Sequence, residues 1–323
     1  MNVFIATSSF GQFNPEPLES LKAGGLEVKM NPLGRPLTEG EVAQWAGDCV
    51  GIIAGTEPYT RDNLKSLSRL RVISRCGVGL DGIDLDVAAE LGISVAFTPQ
   101  APIQAVAELT LGLILNLVRH IETSSIQIKR GVWKKQMGFL LEELIIGIIG
   151  LGRIGKRVAT LLKGLEAKVF ACDIQPDRSW AQKNGVTILA REDLIKISDV
   201  LSLHLPYSKD VHHLIGKGEL EMMKPGSYLV NASRGGLVDE DALCMVLRSG
   251  HLKGAALDTF GREPYEGSLN HIDNVILTPH IGSYARAGRV KMEKEAAENL
   301  LRELERMNLI ERLRTEKGVA LIP

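Results

Sequence analysis

The sequence predicts an α/β protein with two parallel-sheet domains of the Rossmann or flavodoxin type. The chain has 323 residues, which is long for a single domain. Short apolar runs alternate with segments whose apolar residues recur every three or four positions, as in βα units around a parallel sheet. This alternation stops at a long apolar segment near residue 103 and restarts near residue 144, which indicates a second domain.

Five strand-like runs define the first module, residues 1 to about 98. They are "NVFIA" (2–6), "LEVKM" (26–30), "CVGIIA" (49–54), "LRVIS" (70–74) and "ISVAF" (93–97). Those of the second module are "LIIGII", "AKVFACD", "DVLSLHLP", "SYLVNAS", "GAALD" and "VILTPH". Between the modules, residues 103–131 are predicted to form one long helix that is apolar nearly all round. Such a helix must be buried in a core or a subunit interface, which favours a homodimer. A further helix is expected over 285–313.

Composition excludes several classes of function. With 38 Lys and Arg against 39 Asp and Glu, the net charge is −1, so no basic excess favours nucleic acid or an anionic membrane. The four cysteines are scattered without a CxxC pair, which argues against a zinc or other metal site and fits a reducing compartment. No run approaches the roughly 20 apolar residues of a membrane span, and the N-terminus does not resemble a signal peptide. We therefore expect a cytoplasmic location.

The glycine-rich turn at Gly150, Gly152 and Gly155 matches G-x-G-x-x-G. The motif is weak alone, but here a strand-like run precedes it, a helix follows, and the next strand ends in Asp173. This is the context of a dinucleotide fingerprint, in which the helix N-terminus holds the pyrophosphate and the acid holds the ribose hydroxyls. A carboxylate at Asp173 would repel a 2′-phosphate, so NAD is favoured over NADP, although Arg178 lies nearby. An S-adenosylmethionine site could share this layout.

Three further side chains follow strands of the second module. Arg234 follows one strand, Glu263 lies just beyond the strand that ends at Asp258, and His280 ends the last apolar run. Ligands of open parallel sheets bind at the carboxyl ends of the strands. A cation that binds a carboxylate, a histidine that takes a proton and an acid that orients the histidine are what oxidation of a 2-hydroxy acid requires.

These segments resemble the D-isomer-specific 2-hydroxyacid dehydrogenase family, which includes phosphoglycerate dehydrogenase. The matching stretches are "RCGVGLDGID" (75–84), "AVAELTLGL" (105–113), "GIIGLGRIG" (147–155), "SDVLSLHLP" (198–206), "MMKPGSYLVNASRGGLVDEDAL" (222–243), "GAALDTFGREP" (254–264) and "NVILTPHIG" (274–282). The resemblance implies a discontinuous substrate domain, residues 1–98 and 286–323, around an NAD-binding Rossmann domain, residues 99–285. It also implies a dimer contact near 103–131.

The resemblance implies catalytic roles for Arg234, Glu263 and His280, with His280 as the acid/base. The substrate would be held by Arg234, the backbone of Val78 and Gly79, and Arg75, which could meet a distal phosphate or form a structural ion pair. The implied cofactor-binding residues are Gly150, Gly152, Arg153, Ile154, Gly155, Asp173, His204, Pro206, Ala232, Asp258 and Gly282. Pro102 and Val211 depart from the residues common in the family.

The resemblance leaves the substrate open. A phosphoglycerate-dehydrogenase-like activity is the first expectation, with a glyoxylate/hydroxypyruvate reductase or a D-lactate-type dehydrogenase as the alternative. A candidate from another class is an NAD-sensing binding protein similar to certain corepressors. The presence of Arg234, Glu263 and His280 together argues against that candidate, because a sensor does not need all three.

Overall fold

The structure, a computed structural model, describes residues 1–310 as two compact units. One unit comprises Met1–Pro102 and the described part of the segment that starts at Arg286, and the other comprises Ile103–Ala285. The first boundary lies after Pro102 rather than after residue 98, because Ala101 is buried in the core of the first unit beside Phe10 and Met292.

The first unit is a five-stranded parallel sheet in the order β2-β1-β3-β4-β5. Its strands are β1 (Asn2–Ile5), β2 (Glu27–Met30), β3 (Gly51–Ala54), β4 (Val72–Arg75) and β5 (Ser94–Phe97). Its helices are α1 (Glu16–Ala23), α2 (Glu39–Ala46), α3 (Arg61–Ser66) and α4 (Leu85–Glu90), joined by the C-terminal helix α12 (Arg286–Arg306). The order is the flavodoxin-like one, in agreement with the predicted class.

The C-terminal helix α12 completes the core of the first unit, although it lies far from it in sequence. Leu300 is fully buried and packs so closely on Gly51 that a Cβ there would lie 2.7 Å from the leucine Cδ1. The Ser74 hydroxyl donates to the Ala296 carbonyl at 2.7 Å, and the Asn299 amide donates to the Phe97 carbonyl at 3.0 Å. The helix predicted over 285–313 ends at Arg306, and 311–313 lie outside the described residues.

The second unit is a seven-stranded parallel sheet in the order β12-β11-β10-β9-β6-β7-β8. Its strands are β6 (Ile145–Ile149), β7 (Lys168–Cys172), β8 (Thr187–Ile188), β9 (Val200–Leu203), β10 (Tyr228–Asn231), β11 (Gly254–Leu257) and β12 (Val275–Leu277). Its helices are α5 (Ile103–Arg119), α6 (Ile121–Lys129), α7 (Arg153–Lys163), α8 (Arg178–Lys183), α9 (Arg191–Ile197), α10 (Lys217–Met222) and α11 (Glu240–Arg248). Short 3-10 helices lie at Leu141–Glu143, Lys209–Val211, Gly235–Leu237 and Ser268–His271. The strand order reverses between β6 and β9, where open α/β sheets bind ligands.

The long helix predicted over 103–131 is two helices. His120 has a left-handed backbone (φ 54°) and separates α5 from α6. The inner face of α5, including Leu113, Ile114 and Leu117, is buried in the core of this unit. By contrast, α6 contains no buried residue, and Ile128 is 55% exposed. Apolarity around the whole segment therefore did not mean burial of the whole segment.

Within residues 1–310, no helix combines the length and apolarity that crossing a bilayer requires. The described residues also contain no group of three or more His, Cys, Asp or Glu side chains arranged to hold a metal ion. All four cysteines are buried free thiols.

His204 lies directly after β9 at the point where the strand order reverses. Its ring is 8% exposed, and burial lowers its pKa to about 4. Its Nε2 lies 2.9 Å from the Ser202 hydroxyl, and its Nδ1 has no hydrogen-bond partner within the described residues. The imidazole is therefore neutral in the folded chain at neutral pH, and protonating it disfavours the fold.

We expect Leu300→Ala to lower the free energy of unfolding by about 2–5 kcal/mol, the cost of emptying a fully buried leucine site. Urea titration of the purified chain measures this loss. The matched control is Leu85→Ala, because Leu85 is 45% exposed in the same unit. An equal effect of both substitutions would contradict the placement of α12 in this core.

His204 should also make folding sensitive to acid. Below pH 6.5, the ordinary pKa of histidine, His204 becomes protonated in the unfolded chain but stays neutral in the folded chain. The free energy of unfolding therefore decreases as the pH is lowered from about 6.5 to about 4. Between pH 7.5 and 5 this contributes about 2 kcal/mol. We expect His204→Gln to lose less stability over that range in urea titrations than either the wild type or His271→Gln, an exposed control. Identical pH profiles for all three chains would contradict this expectation.

Candidate active site

The glycine-rich turn joins β6 to α7, next to the residue that follows β9. Gly150 has φ 93°, and a Cβ there would lie 2.4 Å from the His204 carbonyl oxygen. A Cβ at Gly155 would lie 2.0 Å from the Gly150 carbonyl oxygen, so two of the three glycines are required by internal packing. A Cβ at Gly152 would meet nothing within 4 Å. Gly152 therefore leaves open space at the N-terminus of α7, where unpaired N–H groups suit a pyrophosphate.

Asp173 lies directly after β7, beside this turn. One carboxylate oxygen accepts the Leu151 N–H at 2.7 Å and the other accepts the Gln175 N–H at 2.9 Å. A carboxylate oxygen can accept two hydrogen bonds, so each retains capacity for a ribose hydroxyl. The neighbouring Ile174 is 98% exposed. The turn and the acid thus fit a dinucleotide without a 2′-phosphate.

The other residues expected at the cofactor lie at or near the same edge of the seven-stranded sheet. Arg153 and Ile154 form the first turn of α7, with the arginine exposed and the isoleucine partly buried. Pro206 is exposed shortly after β9, and Ala232 is buried directly after β10. All strands of the sheet are parallel, so their carboxyl ends share this edge.

Arg234 follows β10 on a turn held by Asn231, a residue that the sequence did not single out. Asn231 is fully buried; its amide donates to the Arg234 carbonyl at 2.8 Å and accepts the Ser233 N–H at 3.1 Å. The Arg234 guanidinium donates to the Ser233 carbonyl at 2.8 Å. The buried Asn231 amide therefore hydrogen-bonds to the backbone of both Ser233 and Arg234, and it fixes the direction of the chain where it leaves the sheet.

The two glycines after Arg234 permit close approach by the protein itself. A Cβ at Gly235 would lie 1.8 Å from the Phe260 carbonyl carbon, and one at Gly236 would lie 2.6 Å from the Tyr207 ring. From the sequence these glycines suggested room for close backbone approach beside the arginine. The structure shows that the Phe260 backbone and the Tyr207 ring fill that room.

Glu263 and His280 form a hydrogen-bonded pair. The Nδ1 atom of His280 lies 2.8 Å from Oε2 of Glu263, while Oε1 accepts the Phe260 N–H at 3.1 Å. Burial alone would raise the pKa of Glu263, but the His280 hydrogen bond, the Phe260 N–H and the charge of Arg234 outweigh it and lower the pKa. The carboxylate is thus charged at neutral pH and faces Nδ1. The Nε2 atom of His280 forms no hydrogen bond within residues 1–310, and the side chain is 33% exposed.

Asp258 holds the turn that carries His280. One oxygen accepts the Thr278 hydroxyl at 2.6 Å and the Ile281 N–H at 2.8 Å, and the other accepts the Gly282 N–H at 2.7 Å. Burial, the largest influence, raises the pKa of Asp258 although these bonds act to lower it. His280 itself has a left-handed backbone (φ 53°), which is uncommon outside glycine. The sequence suggested Asp258 as a cofactor ligand and gave no sign of this anchoring contact.

Gly282 packs against the same acid. A Cβ there would lie 3.0 Å from Oδ2 of Asp258 and 3.4 Å from a methyl carbon of Val106 in α5. The structure therefore pairs Glu263 with His280 in the seven-stranded unit, where the charge of Arg234 also acts on Glu263 and Asp258 holds the residues that follow the histidine.

Arg75, Val78 and Gly79 lie in the five-stranded unit, at the end of β4 and in the loop that follows it. The N–H groups of Val78 and Gly79 donate to no acceptor within the described residues. Successive unpaired N–H groups in such a loop form a concave site for an anion such as a carboxylate.

Comparison with known proteins agrees with this geometry. Residues 111–282 match the family model for the NAD-binding domain of D-isomer specific 2-hydroxyacid dehydrogenases. A glyoxylate reductase of Thermococcus litoralis is 36% identical over 76% of this chain and 77% of its own length. A D-3-phosphoglycerate dehydrogenase of Archaeoglobus fulgidus is 34% identical over 88% of this chain, which spans only 55% of that longer protein.

A solved structure shows the same architecture over nearly the whole chain. The D-lactate dehydrogenase of Aquifex aeolicus, crystallised with NAD and lactic acid, is 29% identical with a TM-score of 0.84 and covers 96% of both chains. The matched family model and the glyoxylate reductase, together with the glycine turn and the Glu263–His280 pair, show that this chain belongs to the D-isomer specific 2-hydroxyacid dehydrogenases, NAD-dependent enzymes that act on a CH–OH group.

Proposed function

We propose that this enzyme interconverts a D-2-hydroxy acid and its 2-oxo acid with His280 as the acid/base. The single observation that carries this assignment is the 2.8 Å contact between Glu263 and Nδ1 of His280. Because Nδ1 faces the carboxylate, Nε2 is the atom that meets the substrate hydroxyl. NAD supplies the acceptor for the hydride that leaves the substrate carbon.

The remaining steps are carried out by side chains of this chain. Nε2 of His280 takes the hydroxyl proton as the carbon–oxygen double bond forms, and returns a proton in the reverse direction. The charged Glu263 carboxylate holds the ring and stabilises the imidazolium that results. Arg234 binds the substrate carboxylate and polarises the carbon–oxygen bond.

The substrate carboxylate also binds the unpaired N–H groups of Val78 and Gly79 in this proposal. The cofactor would be held by the 150–155 turn and Asp173, together with Arg153, Ile154, His204, Pro206, Ala232, Asp258 and Gly282. The unit of Met1–Pro102 with the segment that starts at Arg286 would serve as the substrate domain, and Ile103–Ala285 as the cofactor domain.

Relatives named for glyoxylate, phosphoglycerate and lactate keep three substrates open for this enzyme. A panel of 2-oxo acids, followed by NADH absorbance, selects among them. Tight NADH binding without turnover of any acid would favour the NAD-sensing alternative.

We also propose that the enzyme is a homodimer, joined through the 103–131 region, and acts in the cytoplasm. The segment from α6 to residue 140 exposes large apolar side chains in an unusual concentration, which supports a second copy as the partner. They are Ile121, Ile126, Ile128, Val132, Trp133, Met137, Phe139 and Leu140. Trp133 is 83% and Met137 90% exposed. The buried free thiols are consistent with a reducing compartment.

We expect His280→Ala to lower kcat by about 10²–10⁴-fold, the usual contribution of a general acid/base, while the Kd for NADH stays within about twofold. Glu263→Gln should fall between this variant and the wild type, because an amide can still hold the ring but carries no charge. NADH absorbance gives kcat and NADH fluorescence gives Kd. His271→Ala, an exposed histidine of the same unit, is the control. Near-normal turnover in His280→Ala would refute the mechanism.

The dimer is tested by light scattering coupled to gel filtration. We expect a dimeric wild type and a monomeric Ile128→Glu variant, because a charge cannot be buried unpaired in an apolar interface. Leu165→Glu is the matched control, since Leu165 is 45% exposed elsewhere in the same unit. A monomeric wild type would refute this proposal.

A further inference from the structure

The loop after β4, residues 76–79, is held by hydrogen bonds that three of its carbonyl groups accept. The Gly77 carbonyl accepts the Thr98 N–H at 3.0 Å and the Thr98 hydroxyl at 3.3 Å. In a planar trans peptide the carbonyl and the N–H point in opposite directions. Thr98 therefore orients the peptide that carries the Val78 N–H.

Arg75 holds the peptide before that one and the peptide that follows Gly79. Its Nε donates to the Gly79 carbonyl at 3.2 Å, and one terminal nitrogen donates to the Cys76 carbonyl and, at 3.4 Å, to the Ala54 carbonyl. The same guanidinium lies against Gly77, where a Cβ would come within 2.7 Å of it. Gly77 has φ 153°, so both backbone and packing require glycine there.

A buried acid lies near the other side of the β3 end. Glu57 is 3% exposed and accepts the Gly55 N–H at 2.5 Å and the Tyr59 hydroxyl at 2.9 Å. Burial and the neighbouring Glu57 raise the pKa of Tyr59 well above its ordinary value, and Arg75 opposes this shift. A second anionic group of a substrate would meet repulsion from Glu57 here.

The neighbour just beyond the end of β1 is neutral. The Thr7 methyl group would lie 3.3 Å from a Cβ at Gly55, and the Thr7 hydroxyl is buried without a hydrogen-bond partner in the described part of the chain. This edge of the five-stranded sheet thus offers a neutral hydroxyl and an acid, while the guanidinium of Arg75 is turned back onto main-chain carbonyls.

We infer that Arg75 is a positioning residue for the carboxylate-binding loop and not a ligand for a second anionic group. The enzyme therefore favours compact 2-oxo acids whose only charge is the carboxylate, over phosphorylated ones. This inference rests on the proposed function, because it takes the Val78 and Gly79 N–H groups as the site of the carboxylate.

The test compares glyoxylate, which has no side chain, with 3-phosphohydroxypyruvate. We expect Arg75→Gln to raise the KM for glyoxylate about tenfold or more, with a smaller change in kcat and an unchanged Kd for NADH. Arg75→Lys should share much of the defect, because an ammonium group cannot reproduce the planar fork that bridges the carbonyls. Thr98→Val should raise the same KM by a smaller factor, since it removes the hydroxyl bond to the Gly77 carbonyl but keeps the bond from the Thr98 N–H.

The control is Arg71→Gln. Arg71 also donates to carbonyls, those of Ser68 and Leu70, but it lies just before β4 at the opposite end of the strand. We expect the KM values of the Arg71→Gln variant to match those of the wild type. Thermal unfolding of every variant shows whether a KM change reflects loss of the folded enzyme instead.

Two kinetic results would overturn the inference. One is an Arg75→Gln enzyme whose KM rises only for 3-phosphohydroxypyruvate, and the other is a wild type that prefers the phosphorylated acid. Calorimetry measures the affinity of the NADH complex for oxamate, a carboxylate that binds at the loop without being turned over. A wild type that turns over no acid refutes the proposed function, whereas oxamate affinity that is unchanged by Arg75→Gln refutes the inference.

Discussion

The parallel pairing of the seven strands is the constraint on which the candidate site depends. Every hydrogen-bonded pair in this sheet is parallel, so the turns after all strands emerge at one edge. Gly150, His204, Arg234, Asp258 and His280 follow five different strands and are remote in sequence. A single antiparallel strand among these five would carry its residue to the opposite edge. The direction of the strands therefore places the residues of the candidate site at one edge of the sheet, whatever contacts their side chains make.

Within this frame, the position of the imidazole depends on a buried acid. Asp258 accepts hydrogen bonds from residues on both sides of His280, and His280 has a backbone conformation that L-residues seldom adopt. Such a conformation persists where the surrounding contacts over-determine it. Glu263, in the same β11–β12 connection as Asp258, then fixes the ring. The turn that carries the histidine and its side chain are thus held by two different carboxyl groups, and Nε2 is left without a hydrogen bond within residues 1–310.

Sequence motifs pointed to the glycines of the candidate site and to the 103–131 segment, but not always for the correct physical reason. The glycines after Arg234 indicated close approach, and the partners prove to be the Phe260 backbone and the Tyr207 ring. In the first turn Gly150 and Gly155 are required by internal contacts, and only Gly152 faces open space. The segment 103–131 was predicted to be one buried helix, but His120 divides it and α6 remains exposed. A glycine in the sequence indicates that a side chain is not tolerated at that position, but only the fold shows which group packs against it.

The class of fold, the place of each principal strand except the two-residue β8, the dinucleotide turn and the reaction class could all be predicted from the amino-acid sequence. These follow from apolar periodicity and from residue types at strand ends, both of which are local properties of the chain. The tertiary structure alone decided which carboxylate holds the backbone of His280, that Asn231 sets the Arg234 turn, and that Arg75 turns back onto its own loop. Each of these contacts depends on the direction of a hydrogen bond and on the burial of the groups that form it. Such directions are set only once the strands have paired, so no local pattern in the sequence encodes them.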